Sequence, residues 1–88
     1  MPRYIIERNV DPMSRADLEA VARRSKQVIS EMPGLIWIKS YVSEKEGKIY
    51  CEYDAPSPEA LVEHARRTGI PVHKISEVAI EISPEMFV

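Results

Sequence analysis

The stretch that decides the fold is LIWIKSYVSEKEGKIYCEYDAPSP, residues 35–58. Its first part mixes aromatic and aliphatic side chains in the way that is typical of a β-strand. Residues 44–47 predict a hairpin loop, because the glycine at its end accepts a positive φ angle. Residues 48–54 predict the return strand. Ser57 and Pro58 then supply an N-cap and a first helical residue, so the stretch predicts a β-hairpin that leads directly into a helix.

Similar signals lie on both sides of this hairpin. Residues 3–9 are rich in side chains that favour a strand. A helix is expected to begin after Ser14 and to end at Pro33 and Gly34, because the apolar residues between them recur at helical spacing. Residues 74–83 alternate apolar and polar side chains and predict a last strand.

The predicted order is β-α-β-β-α-β within one domain, residues 1–88. Right-handed connections would place both helices on one face of a four-stranded antiparallel sheet. This arrangement is the ferredoxin-like fold of the α+β class.

The composition excludes several kinds of partner and location. The chain has 12 lysines and arginines against 14 aspartates and glutamates, and its net charge of -2 gives no long-range attraction for nucleic acid or an anionic membrane. Cys51 is the only cysteine, so the fold needs no disulfide and no oxidising compartment. The N-terminus lacks the apolar stretch of a signal peptide, and no apolar run is long enough to span a bilayer. We therefore expect a cytoplasmic protein without nucleic-acid or membrane partners.

The third strand raises one nucleic-acid hypothesis, because RNA-recognition domains share this topology. Residues 48–53 carry two tyrosines, as such a strand does, but the glycine that follows the basic residue is absent. Glu52 also stands where a second stacking ring is expected, and its carboxylate would repel the RNA backbone. RNA binding is therefore not expected.

One face of the predicted sheet is left open by the helices, and period-two alternation sorts the strands between the two faces. The residues assigned to the core are Ile36, Ile38, Val42, Val78, Ile80 and Ile82, and those assigned to the open face are Trp37, Lys39, Tyr41, Tyr50, Glu52, Glu77 and Glu81. A homodimer interface is the leading interpretation, because a large exposed aromatic patch is unusual on a monomer. A small-ligand or metal pocket involving Trp37, Tyr41 and Tyr50 is the first alternative, and a solvated face is the second.

Three side chains are candidates for metal or acid–base chemistry. His64 lies on or beside the apolar stripe of the second helix, where packing is the commoner role and a ligand or acid–base role is the alternative. His73 follows a proline in a loop and is expected to be solvated. Cys51 lies in mid-strand and is expected to be a small buried hydrophobe. The sequence has no Cys-x-x-Cys or His-x-His pair, so these residues complete no metal or catalytic motif.

Several motifs carry a family resemblance. They are GKIYCEYDAP at residues 47–56, then Glu59-Ala60, His64, Gly69 and Glu77, together with Tyr41-Val42 and the extended residues 4–8. These motifs cover nearly the whole chain and resemble a family of small ferredoxin-like proteins, once called a domain of unknown function, that includes a nickel-binding member. The resemblance implies nickel or another divalent metal as the cofactor.

In the metal-binding branch, the similarity implies one histidine late in the first strand and two histidines four residues apart on the second helix. Arg8 stands at the first position (or Glu7, if the register slips by one), and His64 is followed by Thr68 instead of a second histidine. A divalent metal would then have to recruit carboxylates, for which the candidates are Glu7, Glu52 and Glu77. Because an arginine repels a divalent cation and a mixed site holds borderline metals less firmly, we expect weak nickel affinity centred on His64.

The competing class is an enzyme. Related dimeric α/β barrels host cofactor-independent monooxygenases and isomerases in the cavity between helices and sheet, although this analogy is one of fold. A hydrophobic cavity holding His64 beside Tyr50 or Tyr53 would favour an enzyme. A filled core would favour an interaction module, and the sequence alone leans towards a protein without catalysis.

Overall fold

The computed structural model describes residues 1–87. In chain order the elements are β1 (Arg3–Asn9), α1 (Arg15–Ser30), β2 (Ile36–Ser43), β3 (Lys48–Asp54), α2 (Pro58–Thr68), β4 (Lys74–Val78) and a short 3-10 helix (Pro84–Met86). The strands lie in the order β2-β3-β1-β4, and each neighbouring pair is antiparallel. The predicted ferredoxin-like order is confirmed. Among the described residues, no helix is long and apolar enough to cross a membrane.

Both helices begin at the predicted serines. Ser14 Oγ accepts a hydrogen bond from the Asp17 amide, and the Asp17 carboxylate accepts one from the Ser14 amide, each 3.1 Å long. This capping box satisfies amides that the first turn of α1 would leave without partners. At α2, Ser57 Oγ accepts from the amide of Ala60. The same helix ends at Gly69, whose φ of 75° lies in the left-handed region that glycine enters without strain.

The core lies on the face of the sheet that the helices cover. It is built by Tyr4, Ile6, Leu35, Ile49, Cys51, Tyr53, Ala55 and Leu61. In β1, whose alternation was ambiguous in the sequence, Ile6 faces the core opposite Cys51, and Arg8 follows on the same face opposite Ile49. Cys51 is buried, as expected.

A bulge in β2 reverses the assignment of its first residues. The register shifts between Trp37 and Lys39, so Trp37 pairs with Tyr53 on the helix face, whereas Ile36 pairs with Asp54 on the open face. The predictions that Trp37 lies on the open face and Ile36 in the core were wrong, because one extra residue in a strand switches the face of every residue before it. Tyr41 pairs with Tyr50 beyond the bulge, on the open face as predicted.

The last strand is shorter than predicted, and its residues face the opposite sides of the sheet from those predicted. Strand β4 pairs only with β1, and its last residue lies opposite Arg3, the first residue of β1. No residue of β1 remains to pair with residues 79–83, so Ile80 and Ile82 are 77% and 72% exposed and their assignment to the core was wrong. Glu77 lies opposite Tyr4, on the helix face, and its assignment to the open face was wrong as well.

Candidate functional site

A cavity of about 630 Å³ separates helix α1 from the sheet. Helix α1 packs chiefly on α2 and meets the sheet mainly at β2. Within Arg15–Ser30 the one fully buried residue is Ser25, so the apolar stripe of α1 stays half-buried above the sheet. The apolar lining comes from Leu18, Val21 and Ala22 of α1, from Val42 and Ile49 of the sheet, and from Ile70. The core below α1 is therefore not filled.

A polar cluster borders this cavity and joins three elements of the fold. Ser25 Oγ of α1 lies 2.9 Å from His64 Nε2 of α2 and 3.5 Å from the hydroxyl of Tyr53 of β3. The rings of Tyr53 and His64 are tilted against each other with centroids 5.5 Å apart. Ser25 and Tyr53 line the cavity, whereas His64 lies behind them and is 0% exposed.

Burial determines the charge of His64. It lowers the pKa of the imidazole to about 4, and the positive charge of Arg8 acts in the same direction. The imidazole is therefore neutral near pH 7, with one ring nitrogen protonated. Nδ1 is buried and, within residues 1–87, has no hydrogen-bond partner. In either tautomer one polar group of this ring stays unsatisfied, which costs about 1–3 kcal/mol.

Arg8 supplies a positive charge to the cavity wall. Its side chain is among the most buried in the protein, at 2% exposed, and it lines the cavity. One guanidinium nitrogen, Nη1, donates to the carbonyl oxygen of Pro71 over 3.0 Å. Within residues 1–87 no carboxylate lies at ion-pair distance from Arg8, although six other cationic side chains have such a partner.

Trp37 forms the wall of the cavity on the side of β2. Its indole Nε1 donates to Ser40 Oγ over 3.0 Å, and Ser40 in turn donates to the sulfur of Cys51 over 2.9 Å. The bulge that turned Trp37 inward thus also gave its polar nitrogen a partner. The predicted role of Trp37 in a ligand pocket stays a prediction, and its place is now the helix side of the sheet.

The four predicted metal ligands do not meet within the chain. His64 is buried on the side of the sheet that the helices cover. Glu77 lies at the edge of the same side, opposite Tyr4. Glu7 and Glu52 lie on the open face, since they pair with Tyr50 and Ile5. Lys48 donates to Glu7 over 3.0 Å, and this hydrogen bond is the main reason that the pKa of Glu7 is lowered. Within residues 1–87 there is no group of three or more histidine, cysteine, aspartate or glutamate side chains able to hold a metal.

These donors therefore do not fit a divalent metal within a single chain. Arg8, which stands at the position where the metal-binding branch has a histidine, adds a positive charge beside His64. Glu7, the residue one place away, points to the opposite face. Tyr41 and Tyr50 also lie on the open face, away from the cavity, and Tyr41 donates a 3.3 Å hydrogen bond to Glu52.

Sequence reasoning missed two residues of the cavity cluster. Ser25 was not named as a candidate, yet a serine in the middle of the apolar stripe of α1 is itself a signal, because a buried hydroxyl needs a partner. Arg8 was considered only as the replacement of a metal ligand. Its alternation with Tyr4 and Ile6, two apolar residues of the same strand, was the signal that its side chain turns inward.

The fold and the cavity define a small ferredoxin-like α+β protein with a pocket between its first helix and its sheet. The chain belongs to the SCO4226-like family of nickel responsive proteins, whose sequence profile matches residues 4–78. It is also similar in structure to SCO4226 from Streptomyces coelicolor A3(2), with a TM-score of 0.82 and 18% sequence identity over 91% of this chain and 99% of that one. At this identity the likeness concerns the fold. A search of curated proteins finds no match.

The buried histidine predicts a loss of stability in mild acid. The pKa of His64 is about 4 in the folded chain and about 6.5 in the unfolded chain, so the unfolded chain binds more protons between these pH values. The free energy of unfolding should fall by roughly 3 kcal/mol as the pH drops through this window. Urea unfolding at several pH values measures it.

The variant His64→Gln separates His64 from other titrating groups. It keeps a polar partner for Ser25 and should flatten the pH dependence between pH 6.5 and pH 4.5. The carboxylates with lowered pKa values, such as Glu7 and Asp54, contribute to acid unfolding only at lower pH. If the free energy of unfolding changes with pH equally in the wild type and in His64→Gln, the prediction is contradicted.

Proposed function

We propose that this protein is a homodimeric binding protein whose cavity between α1 and the sheet takes a small, largely apolar molecule. The observation that carries the proposal is the cavity itself, about 630 Å³ in volume and bordered by the Ser25–Tyr53–His64 cluster. Pockets of this size accept small organic ligands, with an apolar lining for affinity and a few polar groups for orientation.

The energetics of α1 support an occupant. The half-buried Leu18, Val21 and Ala22 face a space where the sheet offers too few partners. Each 100 Å² of apolar surface that a ligand removes from water contributes roughly 2.5 kcal/mol before the costs of association. A ligand that fills the cavity therefore completes the packing of this helix.

Exposed apolar side chains support the homodimer. Tyr41 is 52% exposed on the open face, which no helix covers, and Ile36 lies on the same face. The segment that follows β4 adds Ile80, Ile82 and Phe87, each more than two-thirds exposed. A second copy of the chain would cover both surfaces, because a symmetric interface uses the same patch on each protomer.

The family suggests divalent-metal binding, because its members are described as nickel responsive proteins. We propose that this chain binds nickel weakly at most, because its predicted donors lie on two faces of the sheet and Glu7 is already paired with Lys48. His64 is the first residue to test for metal binding, since it matches the family pattern. It lies behind Ser25 and beside a cationic guanidinium, which opposes a cation.

An enzyme is the second candidate, favoured by one specific observation. Ser25 Oγ lies in hydrogen-bond contact with the neutral imidazole of His64 and with the hydroxyl of Tyr53, and a neutral imidazole is able to accept a proton. From the sequence, a cavity that holds His64 beside Tyr50 or Tyr53 was expected to favour an enzyme. Among residues 1–87 no side chain orients Nδ1 of His64, so the cluster is not a completed nucleophilic triad.

The cytoplasm is the proposed location. Its support is the single cysteine, which is unpaired and buried in the core.

Ligand binding in the cavity is tested with N-phenyl-1-naphthylamine, a neutral apolar dye whose fluorescence rises in an apolar site. We expect saturable binding by the wild type. Ala22→Phe, which places a ring inside the cavity, should lower the affinity for the dye by about tenfold or more, because the ring occupies the volume that the dye needs. Ala20→Phe, on the exposed side of the same helix, is the matched control and should bind as the wild type does. Equal binding by both variants would place the dye elsewhere.

Self-association is tested by sedimentation at micromolar concentration, where the wild type should be a dimer. Tyr41→Glu should shift it towards monomer, because the symmetric interface buries the new charge twice. Val62→Glu, which replaces a similarly exposed side chain on α2, should leave the dimer intact. A wild type that sediments as a monomer would contradict the proposal.

Metal binding is tested by calorimetric titration of protein without a histidine tag with nickel and with zinc. We expect little heat beyond dilution, because no three donors converge in the described residues. His73→Gln serves as a control for adventitious binding at the exposed imidazole beside Glu7. Tight, stoichiometric binding that disappears in His64→Gln would overturn the expectation.

A further inference from the structure

Arg8 is a buried charge for which residues 1–87 provide no counter-charge at ion-pair distance. The side chain is 2% exposed, and within residues 1–87 its Nη1 donates to the carbonyl oxygen of Pro71, while the guanidinium also hydrogen-bonds the hydroxyl of Tyr53 and so acts to lower the pKa of that hydroxyl. A guanidinium has five N–H donors in a planar fork. Most of its donors therefore have no protein acceptor.

This arrangement is costly unless something else satisfies it. Buried charges in proteins are paired or hydrogen-bonded, because removing an ion from water costs several kcal/mol even after relaxation. Arg3, a surface arginine of the same strand, shows what the fold provides elsewhere, since it bonds to both Asp54 and Glu81. The donors of Arg8 that remain without a protein partner are not fully enclosed, and the residue lines the cavity.

The neighbours of Arg8 leave its charge uncompensated. His64 is neutral near pH 7, and Tyr53 stays protonated because burial raises the pKa of its hydroxyl, although Ser25 and Arg8 oppose that rise. At the rim, Glu19 is paired with Arg15 over 3.5 Å, and Glu44 adds one carboxylate in the exposed turn after β2. Neither carboxylate reaches the guanidinium, so the buried end of the cavity is positive and rich in donors.

We propose that the occupant of the cavity is an organic carboxylate with an apolar body, its carboxylate on the fork of Arg8 and its body along Trp37 and the apolar side of α1. This inference rests on the proposed binding function and gives its ligand a chemical class. A planar guanidinium matches a carboxylate through two parallel hydrogen bonds. The hydroxyl of Tyr53, whose contact with Ser25 is long at 3.5 Å, is a further donor on the same wall.

The test compares two probes of the same shape and different charge, octanoate and octanamide. Binding is followed by calorimetry and by the fluorescence of Trp37, the only tryptophan in the chain, which lines the cavity. The wild type should bind octanoate at least about tenfold more tightly than octanamide, since a hydrogen bond between charged groups at a buried guanidinium contributes that much. Trp37 fluorescence should change with both probes.

Arg8→Met keeps an unbranched side chain and removes the charge. It should abolish the preference for octanoate while octanamide and the neutral dye still bind, and octanoate should no longer raise the melting temperature. Arg8→Lys keeps the charge without the fork and should retain a reduced preference. Arg24→Met, on the exposed side of α1, is the matched control and should behave as the wild type.

The outcomes separate this inference from the proposed function. Equal affinity of the wild type for octanoate and octanamide, with the dye still bound, would overturn the carboxylate and leave the cavity as a binding site. An unchanged preference in Arg8→Met would also overturn it, because the anion would then be held elsewhere. If Arg8→Met does not fold, the wild-type ratio and Arg8→Lys decide. Failure of the dye to bind at all would instead overturn the proposed function.

Discussion

Helix α1 is joined to α2 by a hydrogen bond between Ser25 Oγ and His64 Nε2, 2.9 Å long, while Leu18 and Ile29 of the same helix pack against the core. Ser25 is the one fully buried residue of this helix, so its contact with α2 sets the height at which α1 lies above the sheet. The apolar residues on either side stay half-buried, and the cavity is the space left below them. A polar contact between the two helices thus determines that the core is open on one side of the domain. An apolar residue at position 25 would not form this hydrogen bond and would not fix α1 at this distance from α2.

The electrostatics of the cavity follow from the same arrangement. Burial keeps His64 neutral, and the nearby guanidinium of Arg8 reinforces that state, so among the described residues the fully buried side chains carry one positive charge and no negative one. A site of this kind favours an anion and disfavours a divalent cation. Membership of a nickel responsive family and a cavity whose buried end is cationic are compatible, because family membership concerns ancestry and fold while the ligand depends on individual side chains.

The elements of the fold were predictable because their signals are local. Ser14 and Ser57 cap their helices, and Gly69 and the hairpin glycine take the positive φ angles that their turns require. The assignment of faces was less predictable. One bulge in β2 exchanged Trp37 and Ile36 between the faces, and β4 ended where β1 had no residue left to pair with it. A bulge and a strand end both depend on the partner strand, which lies far away in sequence, so no local pattern reveals them.

The sequence by itself determined the class of fold, the order of its elements and the burial of Cys51, and it named His64 as a candidate site residue, which stays a prediction. Only the tertiary structure decided that His64 meets Ser25 and Tyr53, that Arg8 shares their face, and that Glu7 and Glu52 lie on the other side of the sheet. The physical reason is the range of the interactions involved. Capping, turn formation and alternation act within a few residues, whereas a cavity exists only when residues from β1, α1, β3 and α2 are brought to one place and fail to fill it.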